Sequence, residues 1–267
     1  MDLGLKGATA VVAGGSKGMG LATARCLAAE GARVAVLARG REALETAVGD
    51  LSEAGSPDPV AISTDMSDAA QVDEAFAQVG ARWGHLNVLV NTVGPSAGAF
   101  EQLSDDDWQT AVDVGVLSAV RTVRAALPLL RRAEWARIVN FSAHSIRRQS
   151  PMLVAYTAAK AALASLSKNL ARSLAPEGIL VNTISPGTIV TASFTEALSD
   201  TLSAEGLDAS DPADVMAWIE REFHHPADLG RAGLPDEVGA LACFLASRRN
   251  GYITGANVNV DGGSDFV

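Results

Sequence analysis

Ala8-Thr9-Ala10-Val11-Val12-Ala13 runs straight into Gly14-Gly15-Ser16-Lys17-Gly18-Met19-Gly20, then into Leu21-Ala22-Thr23-Ala24-Arg25-Cys26-Leu27-Ala28-Ala29-Glu30-Gly31. A β-rich apolar run, a glycine-dense turn and a stretch of helical composition follow one another without a spacer. Glycine tolerates the backbone angles of a tight turn and lets N–H groups come close to a ligand. A helix starting there offers the positive end of its dipole to negative charge, which suits a diphosphate. A glycine cluster alone is weak evidence. Its weight comes from its place at the first strand-to-helix junction, with a second strand behind it.

Outward from that turn the chain keeps one rhythm. Apolar runs at 33–38, 59–64, 86–91, 136–142, 179–185 and 256–260 join 8–13 as candidate strands, and their continuity fits strands buried on both faces. Helices are expected at 18–29, 41–53, 68–82, 105–131, 155–174 and 235–247. Ser67 is placed to cap the third of these, and Ser104, followed by Asp105, Asp106 and Asp107, the fourth. Alternation alone fits either a doubly wound sheet or an eightfold βα barrel. The glycine turn decides for the former: a three-layer α/β fold of Rossmann type with a parallel sheet, one domain over 1–267. Residues 191–230 break the rhythm, being acidic, polar and without a strand. They read as an insertion over a site or as a loosely ordered surface excursion.

Composition narrows the function. The 267 residues are 48% hydrophobic and 19% charged, with net charge −10 and no basic cluster beyond pairs such as Arg131-Arg132. A nucleic-acid binder needs a basic face, so that class is disfavoured. No run of eighteen apolar residues and no signal-peptide pattern at the start point away from a membrane and toward the cytoplasm. Cys26 and Cys243 are far apart in sequence and read as two buried, reduced thiols. His224-His225 lacks the companions of a metal site, and no metal is expected.

The tip of the second strand bears on the ligand. A dinucleotide site for NAD commonly carries a carboxylate there for the ribose 2′-OH. This chain has Ala38-Arg39, with Lys17 in the glycine turn. A guanidinium fork and a second cation suit a 2′-phosphate, so NADP(H) is expected, with NAD(H) as the alternative.

These residues resemble the short-chain dehydrogenase/reductase family over essentially the whole chain. Gly14-x3-Gly18-x-Gly20, Asp65-Met66, the segment from Asn87 through Asn91 to Gly94, Tyr156-x3-Lys160, the segment Asn182–Thr191 and Asp261-Gly262-Gly263 follow the family's order and spacing. The resemblance implies cofactor contacts from Gly14, Ser16, Lys17, Gly18, Met19, Arg39, Asp65, Met66, Asn91, Gly94, Tyr156, Lys160, Pro186, Gly187, Ile189 and Thr191. Tyr156 and Lys160, four apart on a helix, share a face. An ammonium beside a phenol favours the phenolate and lowers its pKa toward the range that general acid–base chemistry uses. Two positions depart from the family. Its serine, thirteen residues before the tyrosine, is Ala143 here, and its helical asparagine is Gly115. By strand parity Ser145 points where Ala143 does, so it is the candidate substitute, making Tyr156, Lys160 and Ser145 the catalytic set.

The leading expectation is an oxidoreductase passing hydride between NADP(H) and a small carbonyl or secondary alcohol. The alternative is an NADP(H)-binding protein with degraded catalysis, a sensor or assembly subunit. An enoyl-type reductase fits less, because its Tyr and Lys are spaced more widely. Resemblance also implies a homodimer or homotetramer through the long helices. Residues 94–102, 144–154 and 191–230 are expected to set specificity.

Overall fold

A computed structural model describes residues 2–264. Seven strands form one sheet: β1 Thr9–Ala13, β2 Arg33–Ala38, β3 Val60–Ser63, β4 Val88–Asn91, β5 Ala136–Phe141, β6 Ile179–Pro186 and β7 Asn257–Val260. Their order is β3-β2-β1-β4-β5-β6-β7, and every adjacent pair is parallel. The order reverses between β1 and β4, and the crevice at such a switch point is where open α/β sheets bind ligands.

Nine α-helices flank the sheet among the described residues: α1 Gly18–Ala29, α2 Arg41–Ala54, α3 Ala69–Trp83, α4 Asp105–Val112, α5 Ser118–Leu130, α6 Val154–Leu174, α7 Ala192–Ser203, α8 Pro212–Phe223 and α9 Pro235–Ala246. Strand alternation sorts the core into two layers. Val12, Val34 and Val36 pack against α1, α2 and α9 through Leu27, Leu51 and Cys243. Val11, Ala35 and Leu37 pack against α3 and α5 through Phe76, Val79 and Leu129. Both faces being covered, the central strands β1, β2 and β4 are nearly continuous buried apolar runs, as the sequence suggests, while the edge strand β7 alternates Asn and Val.

Three local readings change. Residues 105–131 are not one helix: a π-helical turn, Asp113–Leu117, separates α4 from α5. The cap of α3 is Asp68, which accepts from the Ala70 and Gln71 N–H groups, not Ser67. Ser67 is held instead by Asp65 Oδ1, which takes both its N–H (2.9 Å) and its hydroxyl (2.7 Å). The stretch 191–230 contains α7 and α8 around a small core of its own, with Leu202, Val215, Met216 and Trp218 buried. Among the described residues no helix is long and apolar enough to cross a membrane.

Candidate functional site

The glycine turn lies at the carboxyl end of β1, and the geometry explains each glycine. Gly14 and Gly18 have φ of +84° and +51°, which side-chain-bearing residues adopt at a cost. A Cβ at Gly20 would come within 2.2 Å of the Gly14 carbonyl oxygen. One at Gly14 would meet Thr92 Oγ1 at 2.5 Å. Thr92 itself donates to Ala13 O at 2.9 Å and Gly14 O at 3.2 Å, clasping the turn to the end of β4.

Helix α1 begins here with Lys17 as its extended N-cap and no side-chain cap. Its first N–H groups are therefore left for a ligand, and the helix dipole favours an anion. Thr191, which caps α7 by accepting from Phe194 N–H, packs its methyl over Gly18. Two helix N-termini thus converge on the turn. Ser16 is half-buried, while Lys17 and Arg39 are exposed beside it. Met19 packs into the core from the start of α1.

Past β3, Ser67 holds the Asp65 carboxyl below its usual range through side-chain and backbone hydrogen bonds, with a smaller contribution from Arg39's charge. Met66 is buried, and its carbonyl accepts from Arg121 at 3.4 Å. Asn91 is turned into the sheet: its amide donates to Asn140 Oδ1 at 2.8 Å and its oxygen accepts from Thr122 at 2.7 Å. Both polar groups of its side chain are engaged within the protein.

At the ends of β4 and β5 stands the Tyr156–Lys160 pair. Lys160 is 2% exposed, and its ammonium donates to Phe141 O at 2.7 Å and Val93 O at 3.0 Å. Burial lowers it to about 8. The Nζ lies 5.9 Å from the Tyr156 ring centroid. Both side chains crowd Gly94, where a Cβ would sit 3.2 Å from Lys160 Nζ and 3.8 Å from Tyr156 Cε2. The sequence pointed to a lowered Tyr156. Instead burial pushes it up to about 12, and the ammonium's hydrogen bonds go to two carbonyls.

Ala143 is buried and extended, and the chain turns at once into a 3-10 segment, His144–Ile146. Strand parity therefore stops before Ser145. That residue is 1% exposed, and its hydroxyl accepts from Thr157 Oγ1 at 2.9 Å, one residue past Tyr156. Gly115 lies in the π-turn against α6, where a Cβ would approach Ala159 Cβ to 2.7 Å and Pro95 Cδ to 3.2 Å. No side chain fits there without movement.

At the end of β6, Pro186 O accepts from His144 Nδ1 at 3.1 Å, and the next residue, Gly187, lies so close to Asp261 that a Cβ would meet its Cα at 2.8 Å. Ile189 bridges to Gly233 in a parallel pairing. Gly233 N–H bonds Thr188 O and Val190 N–H bonds Gly233 O, each at 2.9 Å. In extended chain the groups of Ile189 itself must then point the other way. They form a donor–acceptor pair that would match a primary amide.

The cradle of N–H groups, the space that only glycine leaves and the amide-matching edge at Ile189 fit a nicotinamide dinucleotide. Thr157, the carbonyls of Val93 and Phe141, and the clasp that Thr92 of the fourth-strand motif makes on the glycine turn escaped the sequence reading. A motif could have marked the threonines; main-chain carbonyls leave no trace in side-chain identity.

Known proteins resemble this chain in sequence and fold. A family model described as enoyl-(acyl carrier protein) reductase matches residues 13–265. The short-chain reductase protein NovJ of Streptomyces niveus is 34% identical over 255 residues, 95% of this chain and 92% of that protein. A 3-oxoacyl-[acyl-carrier-protein] reductase, FabG of Chlamydia muridarum, is 34% identical, covering 95% of this chain and 96% of its own. Among solved structures, L-sorbose reductase from Gluconobacter frateurii, complexed with NADPH and L-sorbose, superposes with a TM-score of 0.93 at 29% identity, covering 100% of both chains.

Proposed function

The chain belongs to the short-chain dehydrogenase/reductase family, and on that premise we propose that it is an NADP(H)-dependent oxidoreductase interconverting a carbonyl and a secondary alcohol. The observation that carries this is the meeting of Tyr156 and Lys160 at Gly94, across the switch point from the uncapped start of α1.

The N–H groups of Ser16, Gly18, Met19 and Gly20 hold the diphosphate, with Gly14 giving it room. Arg39 and Lys17 take the 2′-phosphate, and Asp65 and Met66 border the adenine. Lys160 bonds the nicotinamide ribose, Ile189 and Thr191 hold the carboxamide end, and Asn91, Gly94, Pro186 and Gly187 shape the pocket walls. When bound, the cofactor gives or takes the hydride. Tyr156 gives the substrate oxygen its proton on reduction and removes it on oxidation. The buried, protonated phenol is the form that reduction needs.

Ser145 takes the place of the missing serine. Because its hydroxyl accepts from Thr157, its own proton remains to be donated to the carbonyl. The segment 191–230, rooted at Thr191 over Gly18, closes over the substrate. The long helices α4 to α6 form a dimer or tetramer interface, in a cytoplasmic enzyme.

A second reading, cofactor binding with degraded catalysis, draws on Ala143 and Gly115. One experiment separates the two. Ketones and secondary alcohols are screened by cofactor absorbance, alongside Tyr156→Phe and Ser145→Ala. Turnover is expected with wild type, lost in Tyr156→Phe, and reduced by about two to three orders of magnitude in Ser145→Ala. Silence across the panel despite tight NADPH binding would favour the second reading. Undiminished turnover in Ser145→Ala would remove that serine.

A further inference from the structure

Helices α1 and α9 touch more closely than ordinary helix pairs. Gly239 of α9 rests on the backbone of α1, a Cβ there meeting Ala22 C at 3.0 Å and Thr23 N at 3.1 Å. One helical turn on from Ala22 stands Cys26, and one turn on from Gly239 stands Cys243. Helices packed this tightly, with each cysteine one turn on from the contact, place those two side chains against each other. Cys243 is fully buried in the core, while Cys26 is half-buried. Both cysteines are free thiols, Cys243 buried as the sequence suggests and Cys26 partly open, and the fold makes them one pair with a single open side.

We propose that Cys26 and Cys243 are a reversible dithiol–disulfide site, oxidised by small disulfides, which staples the dinucleotide-binding helix α1 to α9. The asymmetry of the pair assigns the roles. Interaction with Cys243 lowers the Cys26 thiol against burial and the Glu30 and Asp236 carboxylates, and interaction with Cys26 together with burial pushes Cys243 up. Cys26 is the accessible sulfur, so it attacks first.

In the first step the Cys26 thiolate attacks one sulfur of RSSR, forming a mixed disulfide and releasing RS⁻. In the second, Cys243 gives up its proton and its thiolate attacks Cys26 Sγ, expelling the second RS⁻. The small disulfide is reduced to two thiols and the protein is oxidised by two electrons. The crosslink closes a loop of more than two hundred residues, so it restricts the unfolded chain strongly.

The test uses the full chain, reduced and then exposed to bis(2-hydroxyethyl) disulfide, with free thiols alkylated before intact-mass and peptide analysis. The expected product is two hydrogens lighter, takes no alkyl group, and yields one peptide pair joined through Cys26 and Cys243. Its Tm rises by roughly 10 °C and falls back with dithiothreitol. Cys243→Ala should stall as a mixed disulfide on Cys26. Cys26→Ser, a change at the half-buried position, should leave Cys243 unreacted in the folded protein. Alkylation of both cysteines after exposure, a lasting mixed disulfide in wild type, or a crosslink between two chains would each overturn the proposal.

Discussion

Arg39 shows how far one side chain can be read. It follows directly on Ala38, the last residue of β2, and stands exposed near Asp65, whose carboxyl its charge helps to lower. In the proposed complex it would grip the 2′-phosphate. Charge-assisted hydrogen bonds contribute about 1.5–3 kcal/mol each. Arg39→Ala should therefore weaken NADPH binding about 10- to 100-fold while changing NADH binding little. Fluorescence titrations at fixed ionic strength would measure this, and equal losses for both cofactors would show that Arg39 does not read the phosphate. Charge proximity pointed to a lowered Tyr156, but the Lys160 N–H groups go to Val93 O and Phe141 O. Parity pointed from Ala143 to Ser145, but the strand ends at Phe141. Both arguments run up against main-chain geometry, which residue identity does not encode.

Elements were legible where local chemistry and tertiary packing agree. Ser104 caps α4 as expected, with Asp107 closing a capping box. Helix α8 also carries a readable start, Asp211 as cap and Pro212 in the first turn, but the polar composition of 191–230 obscured it. The π-turn in the fourth helix was out of reach, because its cause lies in another element. Gly115 must pass Ala159 of α6 and Pro95, and the extra residue in the turn lets the chain accommodate that contact. In an open helix Gly→Ala gains up to about 1 kcal/mol. At Gly115 the added methyl must overpack the α6 contact, at a cost of about 1–3 kcal/mol. Gly115→Ala is thus expected to lower the urea midpoint, and a raised midpoint would refute the packing account. The same layer holds a buried polar chain: Thr122 donates to Asn91, Asn91 to Asn140, and Asn140 to Ser167. Asn140→Ala should cost about 1–3 kcal/mol by stranding the Asn91 amide. In an Asn91→Ala background the same change should cost clearly less. Additive losses in that cycle would mean that the two amides are energetically independent.

At the scale of the molecule, seven apolar runs became seven strands, and the glycine turn gave the right winding because only glycine fits where Thr92 and the Gly14 carbonyl approach. Closing the fold also forces Lys160 into the interior, and that has a global consequence. Burial lowers its pKa from 10.5 to about 8. Between those values the unfolded chain holds a proton that the native protein has released, so stability rises with pH. The rise in cofactor-free protein amounts to roughly 3 kcal/mol across that window; below it both states are protonated and the penalty is constant. Tyr156 works in the opposite sense. Raised from 10.0 to about 12, it keeps its proton in the native state while the unfolded phenol ionises, so stability falls above about pH 10. Urea midpoints followed from neutrality into the alkaline range should climb for the wild type and level off near the Tyr156 threshold. Lys160→Met should lose the climb, and Tyr156→Phe should keep the climb but lose the later fall. Every other titrating group, including Cys26 and Cys243, is common to the three proteins and cancels in the differences. If the wild-type and Lys160→Met profiles ran parallel, the buried ammonium would carry no such penalty, and the account of how this fold holds its central lysine would fail.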